Sequence, residues 1–152
     1  MPEFTPRLNL TKPDAGAKPP GTPWKTDVEA WADQLDKAAA QLLPIHYSGL
    51  AVDEDIMFDG LLFDEAVTIT KVDLFAREAP LGSALTIDFL KAGLEQTKIA
   101  TLAAGAKNQS TTITELTYTT AEQFGLKIKS VGSTFEGNDL LAVVHYHVNP
   151  LP

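Results

Sequence analysis

The feature that most constrains the fold is a short stretch, Leu85–Phe89 (LTIDF), in which apolar and polar residues alternate. A period of two is the pattern of a β-strand that has one face in a core. Thr86 and Asp88 are therefore expected to point away from that core. No segment after Pro44 shows a comparably clear helical pattern, so we expect the main domain to be built from strands.

Similar apolar runs recur after Pro44, separated by turn residues at the spacing typical of all-β domains. The eight predicted strands are Ile45–Val52, Ile56–Phe63, Val67–Ala76, Ala84–Ala92, Leu94–Thr101, Thr111–Leu116, Phe124–Val131 and Leu140–Val148. This number and length predict a mainly β fold, an eight-stranded antiparallel jelly-roll-like sandwich over residues 45–152.

Three local irregularities refine the prediction. The apolar phase within the third strand changes by one residue near Thr70 and Lys71, which indicates a β-bulge. Gly93 predicts a hairpin turn between the fourth and fifth strands, and Gly137-Asn138 predicts a loop before the last strand.

Residues 1–24 are predicted to form an extended, proline-rich arm. Six of the ten prolines fall within the first 23 residues, and each removes a backbone donor and restricts its neighbour. Phe4, Leu8 and Leu10 are nevertheless more apolar than a solvated linker requires. We predict that they dock on a partner surface and order the arm there; the alternative is a floppy tail.

Residues 25–44 are predicted to form a helix. Thr26 and Glu29 make a capping box at its start, and Pro44 ends it. Apolar residues recur at spacings of three and four, which is the pattern of a short coiled coil. The predicted oligomer contacts on this seam are Val28, Trp31, Leu35 and Leu42. The alternative is a single helix lying on the sandwich.

The last strand predicts a second oligomer contact. Leu140, Ala142 and Val144 form one apolar face, whereas Leu141 and Val143 make the opposite face apolar as well. A strand that is apolar on both sides must be covered on both sides. We therefore predict that Leu141 and Val143 lie in an interface between copies.

Composition excludes several classes of function. Residues 45–152 carry seven Lys and Arg against fourteen Asp and Glu, so a nucleic-acid partner is not expected. The chain has no cysteine, which excludes disulfides and thiolate catalysis. No run approaches the roughly 20 apolar residues that cross a bilayer, so membrane insertion is not expected.

Candidate small-molecule sites are weak. His145 and His147 lie on one face of a strand and could face one metal ion, but we expect surface or interface histidines and no metal or other cofactor. The acidic residues between Asp53 and Glu65 lack the spacing of a calcium loop, so a solvated rim is expected. No nucleophile elbow or phosphate loop is present, and an enzyme is not expected.

Aromatic residues offer a further possibility. Trp24 and Trp31 lie in or beside the predicted helix, so anchoring in a core or an interface is expected of them. If the sandwich binds a glycan, the candidate contacts are Tyr47, Tyr118 and Phe135, which lie in loops or at strand ends.

Several of these stretches resemble a known class of protein. VTITKV at 67–72, APLGSALTIDF at 79–89, IATLAAG at 99–105 and IKSVGST at 128–134 with GNDL at 137–140 are similar to a β-sandwich module of tailed-bacteriophage fibres and other virion proteins. TPRLNLTKP at 5–13, followed by Trp24-Lys-Thr, resembles the particle-docking start of phage tail-fibre proteins.

The resemblance implies a non-enzymatic structural protein, a short fibre held to the virion by its N-terminus and assembled in the cytoplasm of the bacterial host. Its partners would be capsid or tail proteins and further copies of itself, and fibres of this class imply a homotrimer. Two alternatives remain open: a capsid decoration protein that stabilises the shell, and a module that binds carbohydrate on the host surface.

Overall fold

The computed structural model describes residues 4–5, 10–11 and 39–149. The chain divides into two compact units, Met1–Ala39 with Pro150–Pro152 and Ala40–Asn149. In the first unit, β1 (Phe4–Thr5) pairs with β2 (Leu10–Thr11) in antiparallel fashion. The rest of the arm lies outside the described residues.

The second unit is mainly β and contains eight strands, with no helix among its described residues. They are β3 Gln41–Leu50, β4 Ile56–Leu61, β5 Val67–Glu78, β6 Leu85–Lys91, β7 Leu94–Leu102, β8 Asn108–Tyr118, β9 Phe124–Ser130 and β10 Asn138–Val148. All pairs are antiparallel, and the strands form two sheets of four, β3-β10-β5-β8 and β4-β9-β6-β7. The part of the chain that the structure describes contains no helix that could span a membrane.

Each predicted strand corresponds to an observed one, and the predicted irregularities are confirmed. The register between β5 and β8 shifts between Ile69 and Lys71, where the bulge was expected. Ala92 and Gly93 both have positive φ, 49° and 78°, and join β6 to β7 in a two-residue hairpin turn. Gly137, with φ of 100°, lies in the predicted loop before the last strand, whereas Asn138 is already the first residue of β10.

Buried side chains from both sheets form one hydrophobic core. Its centre is aromatic: the ring of Phe124 on β9 lies 5.4 Å from Tyr118 on β8 and 5.7 Å from Phe63, between ring centroids. These edge-on contacts join the two sheets. The Tyr118 hydroxyl donates a hydrogen bond to the Leu90 carbonyl at 2.9 Å, and burial raises the pKa of this tyrosine.

The predicted helix is wrong at its C-terminal end. Gln41–Pro44 belong to β3 and pair with Val143–Tyr146 of β10. Pro44 therefore lies within a strand and does not end a helix. A proline is tolerated there because β3 is an edge strand, where one backbone donor can be missing. Leu42 is consequently a strand residue and not part of a helical seam. The remaining predicted helix, residues 25–38, lies outside the described residues.

Candidate interaction surface

The outward face of the β3-β10-β5-β8 sheet carries three rows of side chains that run across all four strands. Cross-strand register fixes the members of each row. The rows are Leu42, His145, Lys71 and Thr112; Pro44, Val143, Asp73 and Ser110; and His46, Leu141, Phe75 and Asn108. Apolar residues concentrate toward β3 and β10, whereas the β8 end of each row is polar.

We call the apolar part of this face the outer patch; it consists of Leu42, Pro44, Phe75, Leu141 and Val143. Leu42 and Phe75 are 58% and 42% exposed, and Leu141 and Val143 are half-buried. On the other face of β10, Leu140, Ala142 and Val144 are buried, so the strand is apolar on both sides as predicted. Large apolar side chains grouped on a sheet surface are typical of a protein interface.

The bulge in β5 explains why the patch reaches that strand. Before the bulge, Val67 and Ile69 point into the core; after it, Val72 and Leu74 do. The phase change turns Phe75 outward beside Leu141.

A polar cluster around Asp73 borders the outer patch. One carboxylate oxygen accepts a short hydrogen bond from the Ser110 hydroxyl and lies 3.3 Å from Lys71 Nζ. The other lies 2.6 Å from His145 Nε2. The hydrogen bond from Ser110, aided by His145 and Lys71, lowers the pKa of Asp73, so the carboxylate is ionised at neutral pH.

This cluster joins three neighbouring strands but lacks the order of a nucleophilic triad. In such a triad the imidazole lies between the hydroxyl and the carboxylate, so that it can accept the hydroxyl proton. Here the carboxylate of Asp73 lies between Ser110 and His145. The arrangement orients side chains and neutralises charge at the edge of the patch.

The two histidines of β10 have different surroundings. His145 contacts Asp73, whereas the Nδ1 atom of His147 is buried and has no hydrogen-bond partner among the described residues. Within the same part of the chain, no group of three or more His, Asp or Glu side chains could hold a metal ion.

The other border of the patch is also polar. Asp139 accepts a hydrogen bond from the Gly49 backbone at 2.7 Å and lies 3.6 Å from Arg77. That backbone bond is the main reason why the pKa of Asp139 is lowered. An apolar centre with charged groups around it is the usual composition of an interface.

Three of the predicted oligomer contacts, Leu42, Leu141 and Val143, lie on this one face. Leu42 was expected on a helical seam, but it lies on this face because it belongs to β3 and pairs with His145 of β10. The predicted contacts Val28, Trp31 and Leu35, and the predicted docking residue Leu8, lie outside the described residues. Phe4 and Leu10 belong to β1 and β2, and their docking role stays a prediction.

The sequence interpretation missed Pro44, Phe75 and the Asp73 cluster. A signal for Phe75 was present, because it stands between the buried Leu74 and Ala76 and makes β5 apolar on both faces there. The Asp73 cluster had no local signal, since its members come from three strands that are distant in sequence.

Two further expectations are modified by the structure. Tyr118 is wholly buried, so the interpretation of it as a glycan contact is wrong. The acidic stretch is not simply solvated: Asp55 accepts a hydrogen bond from the Tyr47 hydroxyl at 2.6 Å, and Glu54 forms ion pairs with Lys127 and Lys129. Partners within the fold hold both carboxylates.

Comparison with known proteins adds no identification. No protein-family model matches this chain, and a search of curated proteins finds no similar sequence.

Proposed function

We propose that this chain is a non-enzymatic structural protein of a tailed-phage virion, a short fibre anchored by its N-terminus that assembles as a homotrimer. The resemblance of residues 5–13 and of several strands to virion proteins supports the location. The sheet surface supports the assembly. Other virion proteins and further copies of the chain are its partners in this proposal.

The strand order supports a jelly-roll sandwich. Counting β3 as the first strand, the two sheets have the orders first, eighth, third, sixth and second, seventh, fourth, fifth. This is the order obtained when an antiparallel hairpin of four strand pairs is rolled into two facing sheets, an architecture that is common in virion and lectin domains. Fold alone does not determine function, so the proposal rests on the surface.

The observation that carries the proposal is the outer patch. Leu141 and Val143 are half-buried and flanked by the exposed Leu42 and Phe75 on a sheet face that the described residues leave open. Burying this patch between copies removes apolar area from water, which stabilises the oligomer by about 25 cal/mol for each Å² buried. The polar borders around Asp73 and Asp139 fix how copies align.

The test compares two charge insertions on the same sheet face. Leu141→Glu places a carboxylate in the outer patch. Thr112→Glu places a carboxylate on β8, at the polar end of the same sheet face. We expect a trimer for the wild type and for Thr112→Glu, and a monomer for Leu141→Glu, by light scattering with detection of mass. Far-UV circular dichroism checks that both variants are folded. A monomeric wild-type chain would contradict the proposal.

A shortened chain identifies which segment holds the copies together. Removing residues 1–40 keeps the whole of β3, whereas a start at Ile45 would delete half of that strand. A trimer that survives the removal assigns the main contact to the sheet. Loss of the trimer assigns it to the N-terminal segment instead.

The place on the virion is tested by cosedimentation of the purified protein with empty capsids, with tails and with host cells. Binding to tails supports a tail fibre, and binding to capsids alone favours the decoration protein. Binding to cells without any particle would favour the carbohydrate-binding alternative.

A further inference from the structure

An open cleft of about 450 Å³ lies at one end of the two sheets, where β3 begins and β10 ends. Its walls come from these strands, from the connection between β4 and β5, and from the start of β5. Its lining includes Gln41, Leu62, Phe63, Asp64, Glu65 and Tyr146. The volume falls within the range of roughly 300–1,000 Å³ usual for binding sites.

The cleft combines a mostly apolar wall with acidic groups. The rings of Phe63 and Tyr146 lie 5.2 Å apart between centroids, and Leu62 is 50% exposed. Asp64 and Glu65 are consecutive and exposed. An apolar wall next to the Asp64 carboxylate suits a group that is apolar and positively charged, because the aromatic faces also attract cations.

The net charge of the domain favours the same kind of partner. Residues 45–152 carry fourteen acidic against seven basic side chains, so a basic segment is attracted before contact is made.

The position of the cleft indicates where that partner lies. The chain preceding Gln41 joins the sheets at this end, since β3 starts there. The proposed function assigns virion anchoring to the N-terminal segment, and Gln41, where that segment joins the sheets, lines the cleft.

We propose that the cleft binds a segment of the virion protein on which this chain is mounted, an aromatic or aliphatic side chain of that protein with a neighbouring lysine or arginine. The inference rests on the proposed function and gives it a second contact, separate from the outer patch. The apolar side chain lies against the wall formed by Leu62 and Tyr146, and the cation lies beside Asp64.

Photocrosslinking tests the occupant directly. The full-length chain carries p-benzoylphenylalanine in place of Leu62, and purified particles lacking this protein are decorated with it and irradiated. A matched chain carries the same probe in place of Leu94, which is 71% exposed but does not line the cleft. We expect a crosslink to a particle protein from position 62, within a peptide that contains lysine or arginine, and much less from position 94.

Each contrary outcome has a distinct meaning. Crosslinks from position 62 only to the same chain or to a second copy would overturn this inference and leave the proposed function standing. Equal crosslinking from both positions would overturn it as well. If neither chain binds particles and the protein is absent from purified virions, the proposed function is wrong and the inference falls with it.

Charge reversal tests the electrostatic part with unmodified residues. Asp64→Lys is compared with Asp53→Lys, which makes the same change at an exposed position in the connection between β3 and β4, at the opposite end of the sheets. We expect Asp64→Lys to associate with particles about fivefold more slowly at low ionic strength, and the difference to shrink in 1 M salt. Equal rates for the two variants would contradict a cationic occupant.

Discussion

The imidazole of His145 lies 2.6 Å from the carboxylate of Asp73, across the pairing of β10 with β5. The contact is diagonal, because the register places His145 opposite Lys71 and Asp73 opposite Val143. The contact lies next to the bulge of β5 and beside the outer patch. The same Asp73 carboxylate also accepts a hydrogen bond from Ser110, so it connects the central strands β10 and β5 with the edge strand β8.

Asp73→Asn is expected to destabilise the fold in a pH-dependent way. Its folded-state pKa is lowered from 3.8, chiefly by the Ser110 hydroxyl, so the ionised form stabilises the fold above about that pH. This contribution is lost as the pH falls through the lower folded value. Urea unfolding should therefore separate Asp73→Asn from wild type at pH 7 and bring them together in acid. Asp53→Asn, at an exposed turn, is the control; a constant difference at all pH values would contradict the prediction.

Glu54→Gln is expected to remove the ion pairs that join the β3–β4 connection to β9. These ion pairs should be weakened by both salt and acid. Glu54 and Glu95 share Lys127 and Lys129, and these lysines lower the pKa of Glu54 to about 2. The stabilisation is present above the usual glutamate pKa of 4.5 and disappears as the pH falls through about 2. Thermal unfolding at pH 7 should show a lower midpoint for Glu54→Gln than for wild type in low salt. In 1 M salt the difference should shrink, because the group is exposed. Glu136→Gln is the matched control.

Tyr118→Phe removes the hydroxyl that donates to the Leu90 carbonyl in the buried core. The carbonyl loses this partner, and we expect the free energy of unfolding to fall by about 1–2 kcal/mol at pH 7. Tyr47→Phe removes a part-buried hydroxyl bonded to Asp55 and should cost less, because water can replace it. Denaturant unfolding of both variants checks the order, and a larger loss for Tyr47→Phe would contradict it.

Asp88→Leu tests the irregular pairing of β6 with β7. The Asp88 carboxylate is 2% exposed and accepts hydrogen bonds from the backbone N–H groups of Thr97 and Lys98 at 3.1 and 2.9 Å. Thr97 has a φ of 57°, so this local backbone conformation depends on that support. Loss of both acceptors should cost about 2–5 kcal/mol.

Amide hydrogen exchange locates the effect of Asp88→Leu. Exchange at Thr97 and Lys98 should accelerate more than at Ala100 in the same strand, beyond any global change. Asp88→Asn keeps one acceptor oxygen, so its exchange rates at Thr97 and Lys98 should lie between those of the wild type and of Asp88→Leu. Uniform acceleration throughout β7 would argue against a local role for Asp88.

Local patterns predicted most of the strands and their irregularities. The alternation in Leu85–Phe89 identified β6, and the phase change near Thr70 identified the bulge. The alternation predicted Asp88 to point away from the core, yet it is 2% exposed and accepts hydrogen bonds from the backbone of Thr97 and Lys98. Its burial depended on a neighbouring strand, which the local pattern does not contain.

The error at residues 41–44 has a similar cause. The spacing of Val28, Trp31 and Leu35 continues through Leu42 and reads as one helical stripe. Pairing with β10 overrides that local pattern, since hydrogen bonds to a neighbouring strand satisfy the backbone of β3 without a helix.

The sequence by itself therefore determined the period of each strand, the apolar character of both faces of β10, the turn at Gly93 and the loop at Gly137. Only the tertiary structure decided that β10 lies between β3 and β5, which brings Leu141 beside Phe75 and His145 beside Asp73. The reason is that alternation depends on neighbours in the chain. Strand order depends on how the whole set of apolar faces can be buried together, so residues distant in sequence meet on one surface.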